Sequence, residues 1–472
     1  MWLEDPYWLR AGKCVAGLLG DVKYVLAPAE MNHLRGDCLP LAFAHILEPD
    51  QCAIVLPKDD VDMLPLSWIE QLPEWETIYA DGAFVALKAG ANGCVPHPDD
   101  FERAYLHRRG EAVLGGQAVR QSRIDEQLSD KITSGPYAVV AAASMTGNAG
   151  DRLIASAAAR LLRKAWPHLS ILIVDGSPDR TLIANASAVV IGPGGMIYDY
   201  HRSRIELMNV ANWMRFGYLA QEYRVPLFSI GIGHQMMITD IAWRYTEGAL
   251  REARIISTRD RDTAKLLLNR VNCPVVAMPD ISTIFAEEIR HLPGREGERK
   301  AMTICGDFRH TSELARTLVN AGAAGCLIRY IVQANEDAES LACHRSELQE
   351  AFGDDFDAVD CRTADPMVFC AAIASSDAIV TTRFHGMMVA MMAGVDTLVF
   401  TDIGDKRERV RDEVGPLPWV RFHRGVDLEA AFSSLCELIQ SGRRDINRAV
   451  HFEQDGFSNI AEHLKTALRI GK

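Results

Sequence analysis

From residue 137 to residue 440 the sequence alternates continuous apolar runs with helical stretches, and this alternation restricts the fold more than any other feature. YAVVAAA (137–143), SILIVD (170–175), SAVVIG (187–192), PLFSIG (226–231) and ARIIST (253–258) are largely apolar, as strands buried on both faces are. Between several of them lie stretches of helical pattern, among them DRLIASAAARLLRKAW (151–166) and LMNVANWMRFGYLAQEY (207–223). After a polar, Gly- and Pro-containing run, RHLPGREGERK (290–300), the pattern restarts with MTIC, GCLIRYI, FDAVDC, DAIVTT and TLVFTD. The expectation is an α/β fold of two Rossmann-like, doubly wound parallel-sheet domains, 137–290 and 300–440, facing each other across a cleft. Residues 441–472 read as a C-terminal helical segment.

Ahead of these, residues 1–110 contain their own short β-type runs, YVLAP (24–28), CAIVLP (52–57) and FVALKA (84–89), with LPLAFAHIL (39–47) reading as a helix. This is a small N-terminal α/β unit, followed by a polar connector over 111–136. At 472 residues the chain exceeds one ordinary core, in keeping with several units.

Charge and cysteine usage exclude several function classes. The net charge of −13, from 63 acidic and 50 basic residues, argues against a general nucleic-acid or anionic-membrane binder. Eleven cysteines, scattered from Cys14 to Cys436 with no CxxC pair, suit a reducing cytoplasm rather than a disulfide framework. The first residues lack a basic segment followed by a sustained apolar run, and no run approaches 18 apolar residues. Neither a secretory signal nor a transmembrane segment is expected.

In doubly wound sheets ligands sit beyond the carboxyl ends of strands, so the loops after strands hold the candidate residues. In SMTGNAGDRLIAS (144–156), Asn148 or Asp151 can cap a helix whose amino end faces a ligand. In IGPGGMIYDY (191–200), Gly194 and Gly195 can turn backbone N–H groups toward an anion. SIGIGHQMM (229–237) supplies His234, and STRDRDTAKLL (257–267) supplies Arg259 at a strand end. In TTRFHGMMVAMMAG (381–394), Arg383 and His385 stand where a strand gives way to a Met-rich core helix, a place where unpaired polar side chains are costly. TDIGDKRERVRDEVG (401–415) opens a helix with Lys406 after the next strand. Taken singly, each loop also has an ordinary reading as a capped turn, a surface ion pair or a structural Arg–His pair.

In order, GNAGD (147–151), IGPGG (191–195), GIG (231–233), STRD (257–260), PD (279–280), RFHG (383–386) and GDKRE (404–408) resemble the polysaccharide pyruvyl transferase family. The resemblance spans roughly residues 137–450, with Pro193 where the family commonly has another glycine. It implies a GT-B-like arrangement and transfer of an enolpyruvate-derived unit from phosphoenolpyruvate to two hydroxyls of a saccharide, giving a pyruvate ketal and phosphate. Arg383 and Lys406 are then the cations for the donor's carboxylate and phosphate, and His385 the general acid/base. Asn148, Asp151, Gly194, Gly195, His234 and Arg259 are the expected substrate-binding residues. Phosphoenolpyruvate enters as a substrate, and neither cofactor nor metal is expected. The expected partners are this donor and a saccharide acceptor, free or lipid-linked. The expected location is the cytoplasm, with a peripheral seat on the inner membrane face and oligomerisation left open. A GT-B glycosyltransferase using a nucleotide sugar and a non-catalytic ligand-sensing descendant are the alternatives.

Overall fold

The computed structural model describes residues 5–18, 22–28, 31, 38–81, 83–89, 100–117, 121–131, 135–201, 204–295, 299–402, 405–441, 443–450, 452 and 455–469. Gly404 of the GDKRE motif and residues 296–298 of the polar run before Lys300 lie outside them.

Among these residues, Tyr24–Ala27 (β1), Leu39–Pro40 (β2), Cys52–Pro57 (β3), Glu76–Ala80 (β4) and Phe84–Lys88 (β5) form a mixed sheet in the order β2-β1-β3-β5-β4. The LPLAFAHIL run differs from its expected helix: it forms β2 and a 3-10 turn, Leu41–Ile46. Its apolar residues Leu41 to Ala44 are buried on every side. Consecutive burial favours a tight turn over an amphipathic helix, and the run is too short to sustain an α-helix by itself.

The first large sheet uses Arg123–Ile124 (β6), Tyr137–Ala141 (β7), Ser170–Asp175 (β8), Ala188–Ile191 (β9) and Gly194–Ile197 (β10). After a hairpin, Tyr200–His201 (β11) with Arg204–Ile205 (β12), it continues through Leu227–His234 (β13), Ala253–Thr258 (β14) and Val275–Ala277 (β15). Its order is β15-β14-β13-β9-β7-β8-β6, with β10 beside β13. All these pairings are parallel except that of β6, which the connector contributes as an antiparallel edge strand. The second sheet uses Ala301–Cys305 (β16), Leu327–Val332 (β17), Phe356–Asp360 (β18), Ala378–Thr381 (β19), Asp396–Thr401 (β20) and Val420–Arg424 (β21). It is wholly parallel, in the order β18-β17-β16-β19-β20-β21. Strand order reverses between β7 and β9 in one sheet and between β16 and β19 in the other. These switch points are where doubly wound sheets open a crevice.

The two sheet units share a core. All ten residues of the helix Phe384–Ala393 are buried. The helix packs against the 3-10 turn Ile281–Phe285, the short helix Ala286–Arg290 and the helix Ala149–Ala165 of the first unit. Each fully buried Met or Val there contributes about 1.5–3 kcal/mol relative to exposure. The chain then returns: the C-terminal helix Asp455–Arg469 lies on Ala149–Ala165, and Trp166 Nε1 donates to the Leu464 carbonyl at 3.1 Å.

The N-terminal unit is latched to the first sheet unit through buried arginines and rings. Arg215, fully buried, donates to the Asp62 carbonyl at 2.6 Å and to the Pro178 carbonyl at 2.9 Å. Arg180 Nε donates to the same Asp62 carbonyl at 2.9 Å. Phe43 stacks on Tyr245 with ring centroids 4.6 Å apart. Among the described residues no helix is long and apolar enough to cross a membrane.

Candidate functional site

The loops after β7 and β19, one from each sheet unit, meet face to face. Asn148 caps the helix Ala149–Ala165 in an extended conformation, its Oδ1 accepting from the Gly150 N–H at 2.9 Å. The same Oδ1 accepts from Gln333 Nε2 at 3.1 Å, and the Gln333 carbonyl accepts from the Ala149 N–H at 2.9 Å. Gln333 is buried in the second unit, so the first turn of this helix is held from across the domain boundary. His385 lies in the first turn of the opposing helix and is also buried. A Cβ on Gly150 would stand 2.3 Å from His385 Nδ1 and 2.7 Å from Gln333 Nε2. Only glycine permits that approach.

On its other side, His385 Nε2 faces a carboxylate of the first unit, Asp280 Oδ2, at 3.8 Å. Asp280 starts the turn Ile281–Phe285, its Oδ1 accepting from the Ser282 N–H at 3.0 Å and the Ser282 hydroxyl at 2.6 Å. Burial by itself would raise the Asp280 carboxyl; the His385 ring and the two Ser282 donors outweigh it and hold the group at about 2.

Phe384, between Arg383 and His385, carries a cation from each unit. The Arg259 guanidinium lies 5.4 Å from its ring centroid and Lys406 Nζ 5.2 Å. Both distances are within cation–π range. Arg259 is buried beside Gly233, where a Cβ would fall 2.2 Å from its Nε. Its nearest carboxylate, Asp260, stands 3.5 Å from Nε, and both Nε and Nη2 are buried without a hydrogen-bond partner. Burial lowers the Arg259 pKa from its ordinary value, against the pull of Asp260 and Asp280. Lys406 is the first residue of the helix Lys406–Val414, capped by Asp405, which accepts from the Arg407 N–H at 2.7 Å. Burial and the nearby Arg259 charge push the Lys406 ammonium down to about 8, although Asp151 and Asp405 act in the opposite direction. Asp151, half-buried in the first turn of Ala149–Ala165, is raised by burial, while His385 and Lys406 pull it down. These opposing influences group Asp151, His385 and Lys406 together.

Other expected site residues are placed differently. Arg383 is engaged within its own unit: Nε donates to Asp337 Oδ1 at 2.7 Å, and Nη2 pairs with Asp337 Oδ1 at 2.5 Å and Glu336 Oε2 at 3.2 Å. Buried Asp337 needs that partner, so Arg383 serves as the counter-ion of the helix Asn335–Phe352. Gly194 and Gly195 lie in strand β10, with Gly194 opposite Ile232 of β13 and the Gly195 carbonyl accepting from Gln235 Nε2 at 3.2 Å. A strand edge replaces the expected anion-binding turn. His234 stacks on Trp243 at 5.7 Å, and its carbonyl accepts from Arg409 Nη2 at 3.0 Å. Burial and the Arg409 charge push its imidazole down to about 4, so it is neutral near pH 7.

Asp280, Gln333, Phe384 and Arg409 contact the candidate residues but were not singled out in the sequence. The PD and RFHG motifs contained two of them without indicating roles. Arg409 of the second unit also pairs with Asp260 of the first at 3.3 Å. Among the described residues no three His, Cys, Asp or Glu side chains converge as metal ligands.

A family profile for polysaccharide pyruvyl transferase matches residues 148–402, from the Asn148 cap to the end of β20. The chain belongs to the polysaccharide pyruvyl transferase family. It is accordingly an enzyme of the transferase class with a pyruvyl-transfer role. In this pyruvyl transferase the matched stretch contains Asn148, Arg259, Asp280 and His385, and ends four residues before Lys406. No curated protein matches the sequence. Similar solved structures include the S. aureus MnaA–UDP complex (12% identity, 71% of this chain and 97% of that one, TM-score 0.45). Others are UDP-GlcNAc 2-epimerase from Neisseria meningitidis bound to UDP-GlcNAc (10%, 71% and 97%, TM-score 0.39) and Anabaena Alr3699/HepE in complex with UDP-glucose (10%, 71% and 94%, TM-score 0.40).

Proposed function

We propose that the protein transfers the enolpyruvate-derived unit of phosphoenolpyruvate onto two hydroxyls of a saccharide, forming a cyclic pyruvate ketal and releasing phosphate. The observation that carries this reading is the convergence of Arg259 and Lys406, from different sheet units, on Phe384 immediately beside buried His385. A donor with a carboxylate and a phosphate needs fixed cations in a partly desolvated site. A guanidinium with two nitrogens that make no hydrogen bond, though Asp260 lies 3.5 Å away, and a compact ammonium meet that need. Arg383, neutralised by Asp337 and Glu336, supports the site from behind.

The chemistry requires a proton on the methylene carbon of the donor, which leaves its C2 open to a sugar hydroxyl. Attack forms the first C–O bond and releases the hydroxyl proton. Departure of phosphate and attack by a second hydroxyl close the ketal, with a second proton released. In this scheme His385 moves these protons, a role supported by its position at the amino end of the Ala149–Ala165 helix, where the backbone dipole favours anionic groups. The donor is consumed and no cofactor takes part in this scheme. The acceptor is a cell-surface polysaccharide or its precursor, free or lipid-linked. The reaction belongs on the cytoplasmic side, for which the ten described cysteines, all free, are suited.

The test is mass spectrometry of galactosides, glucosides, mannosides and N-acetylhexosamines after incubation with phosphoenolpyruvate. The expected product gains one pyruvate less one water, with phosphate released in equal amount. His385→Ala should lower turnover about a hundred- to ten-thousand-fold. Consumption of a nucleotide sugar with no ketal formed would overturn the reading.

A further inference from the structure

The two ring nitrogens of His385 stand in different chemical surroundings. Nε2 is buried, lacks a hydrogen-bond partner, and faces Asp280 Oδ2 of the other sheet unit at 3.8 Å. Nδ1 lies on the opposite edge, against Gly150 at the amino end of the Ala149–Ala165 helix, a position that the Gln333 amide nitrogen also borders. That amide donates to Asn148 Oδ1 at 3.1 Å. A carboxylate facing Nε2 favours the single proton of a neutral imidazole on Nε2.

We propose that Asp280 is a positioning residue: it keeps the proton on His385 Nε2, so that Nδ1 is the nitrogen that exchanges a proton with the substrate. Asp280 is itself fixed, because Ser282 occupies its Oδ1 and leaves Oδ2 directed at the ring. Its low pKa keeps it anionic throughout the working range. The remaining charges around the ring are Asp151 on the Ala149–Ala165 helix, with Lys406 and Arg259 on the Phe384 side. Arg259 also feels the Asp280 charge, so the cations are not confined to one edge of the ring. The gap of 3.8 Å is longer than a hydrogen bond, and such contacts commonly tighten when the substrate binds. Because Asp280 and His385 belong to different units, that tightening requires only a small approach of one unit to the other.

The catalytic half of this inference rests on the pyruvyl-transfer reading; the tautomer does not. The experiment uses the full chain with 15N-labelled histidine and reads His385 by long-range 1H–15N correlation without substrate, with His385→Gln assigning the signal. The expected signature is the Nε2–H tautomer of the neutral ring, shifting toward Nδ1–H in Asp280→Ala and restored in Asp280→Glu. Turnover should fall about ten- to a hundred-fold in Asp280→Ala, with KM for phosphoenolpyruvate within about threefold. An Nδ1–H tautomer in the unmutated protein, or an unchanged signature in Asp280→Ala, overturns the proposal. If Asp280→Ala does not fold, the unmutated tautomer and the isosteric Asp280→Asn decide it by the same criterion. A signature as expected without pyruvyl transfer would retain the positioning role and sink the functional reading alone.

Discussion

Gly150 and His385, 235 positions apart in the chain, are packed so closely that a methyl group on the glycine would stand 2.3 Å from the imidazole Nδ1. The contact joins the two sheet units at the proposed site of the chemistry. Gly150→Ala would ordinarily favour a helix by about 1 kcal/mol. Here it should push the His385 ring out of place. We expect near-normal unfolding in denaturant but a loss of turnover of about a hundred-fold, since a misplacement of about 1 Å has that effect. A fully active Gly150→Ala protein would show that the His385 position is not needed.

Two arginines in similar sequence settings should respond in opposite ways. Arg259→Ala, like Lys406→Ala, should weaken phosphoenolpyruvate binding about ten- to a hundred-fold, the loss of about 1.5–3 kcal/mol from one charge-assisted contact. Arg383→Ala instead leaves buried Asp337 without its counter-ion. It should destabilise the fold by about 3 kcal/mol. Calorimetric titration with the donor, beside urea unfolding of each variant, separates the two classes. Weakened binding in Arg383→Ala with stability unchanged would reverse the assignment.

Lys406 titrates at about 8, below its ordinary value of about 10.4. Its charged form is thus disfavoured in the folded state, and between these two values the unfolded chain binds more protons. The Lys406 contribution to stability therefore rises with pH across that window. Donor affinity moves the other way, because the anion needs the ammonium. The dissociation constant for phosphoenolpyruvate should be flat below pH 7 and weaken by up to about tenfold per unit above 8. Lys406→Arg, which stays charged, should flatten the profile. Equal affinity at pH 7 and 9.5 in the unmutated protein would count against Lys406 as a donor ligand.

The N-terminal unit should not be removable. Phe43 stacks on Tyr245, and Arg180 and Arg215 hold the Asp62 carbonyl, so the unit and the first sheet share one interior. Phe43→Ala should cost about 3–5 kcal/mol, read as a shifted midpoint of a transition common to both parts. A fragment beginning at residue 121 should be insoluble. If that fragment stays monomeric with an unchanged midpoint, the shared interior is not a stability element.

The doubly wound sheets, the restart near Lys300 and the placing of RFHG and GDKRE after strands were all legible in the sequence, since each depends on short-range periodicity. Buried parallel strands need continuous apolar runs, and helix starts need capping residues such as Asn148 and Asp405. The roles of the charged residues were a different matter. Arg383 and Arg259 look alike in a string of letters, and only the fold hydrogen-bonds one to Asp337 and Glu336 while holding the other 3.5 Å from Asp260 with two nitrogens that make no hydrogen bond. Gly194 and Gly195 carry the composition of an anion-binding turn, yet the pairing of β10 with β13 takes that backbone into the sheet. Asp280 meets His385 because a turn after β15 and a helix after β19 pack together across the domain boundary. Periodicity and capping act over a few residues and are written in sequence order. Electrostatic partnership acts over a few ångströms, and across a hundred or more residues only tertiary packing decides who the partner is.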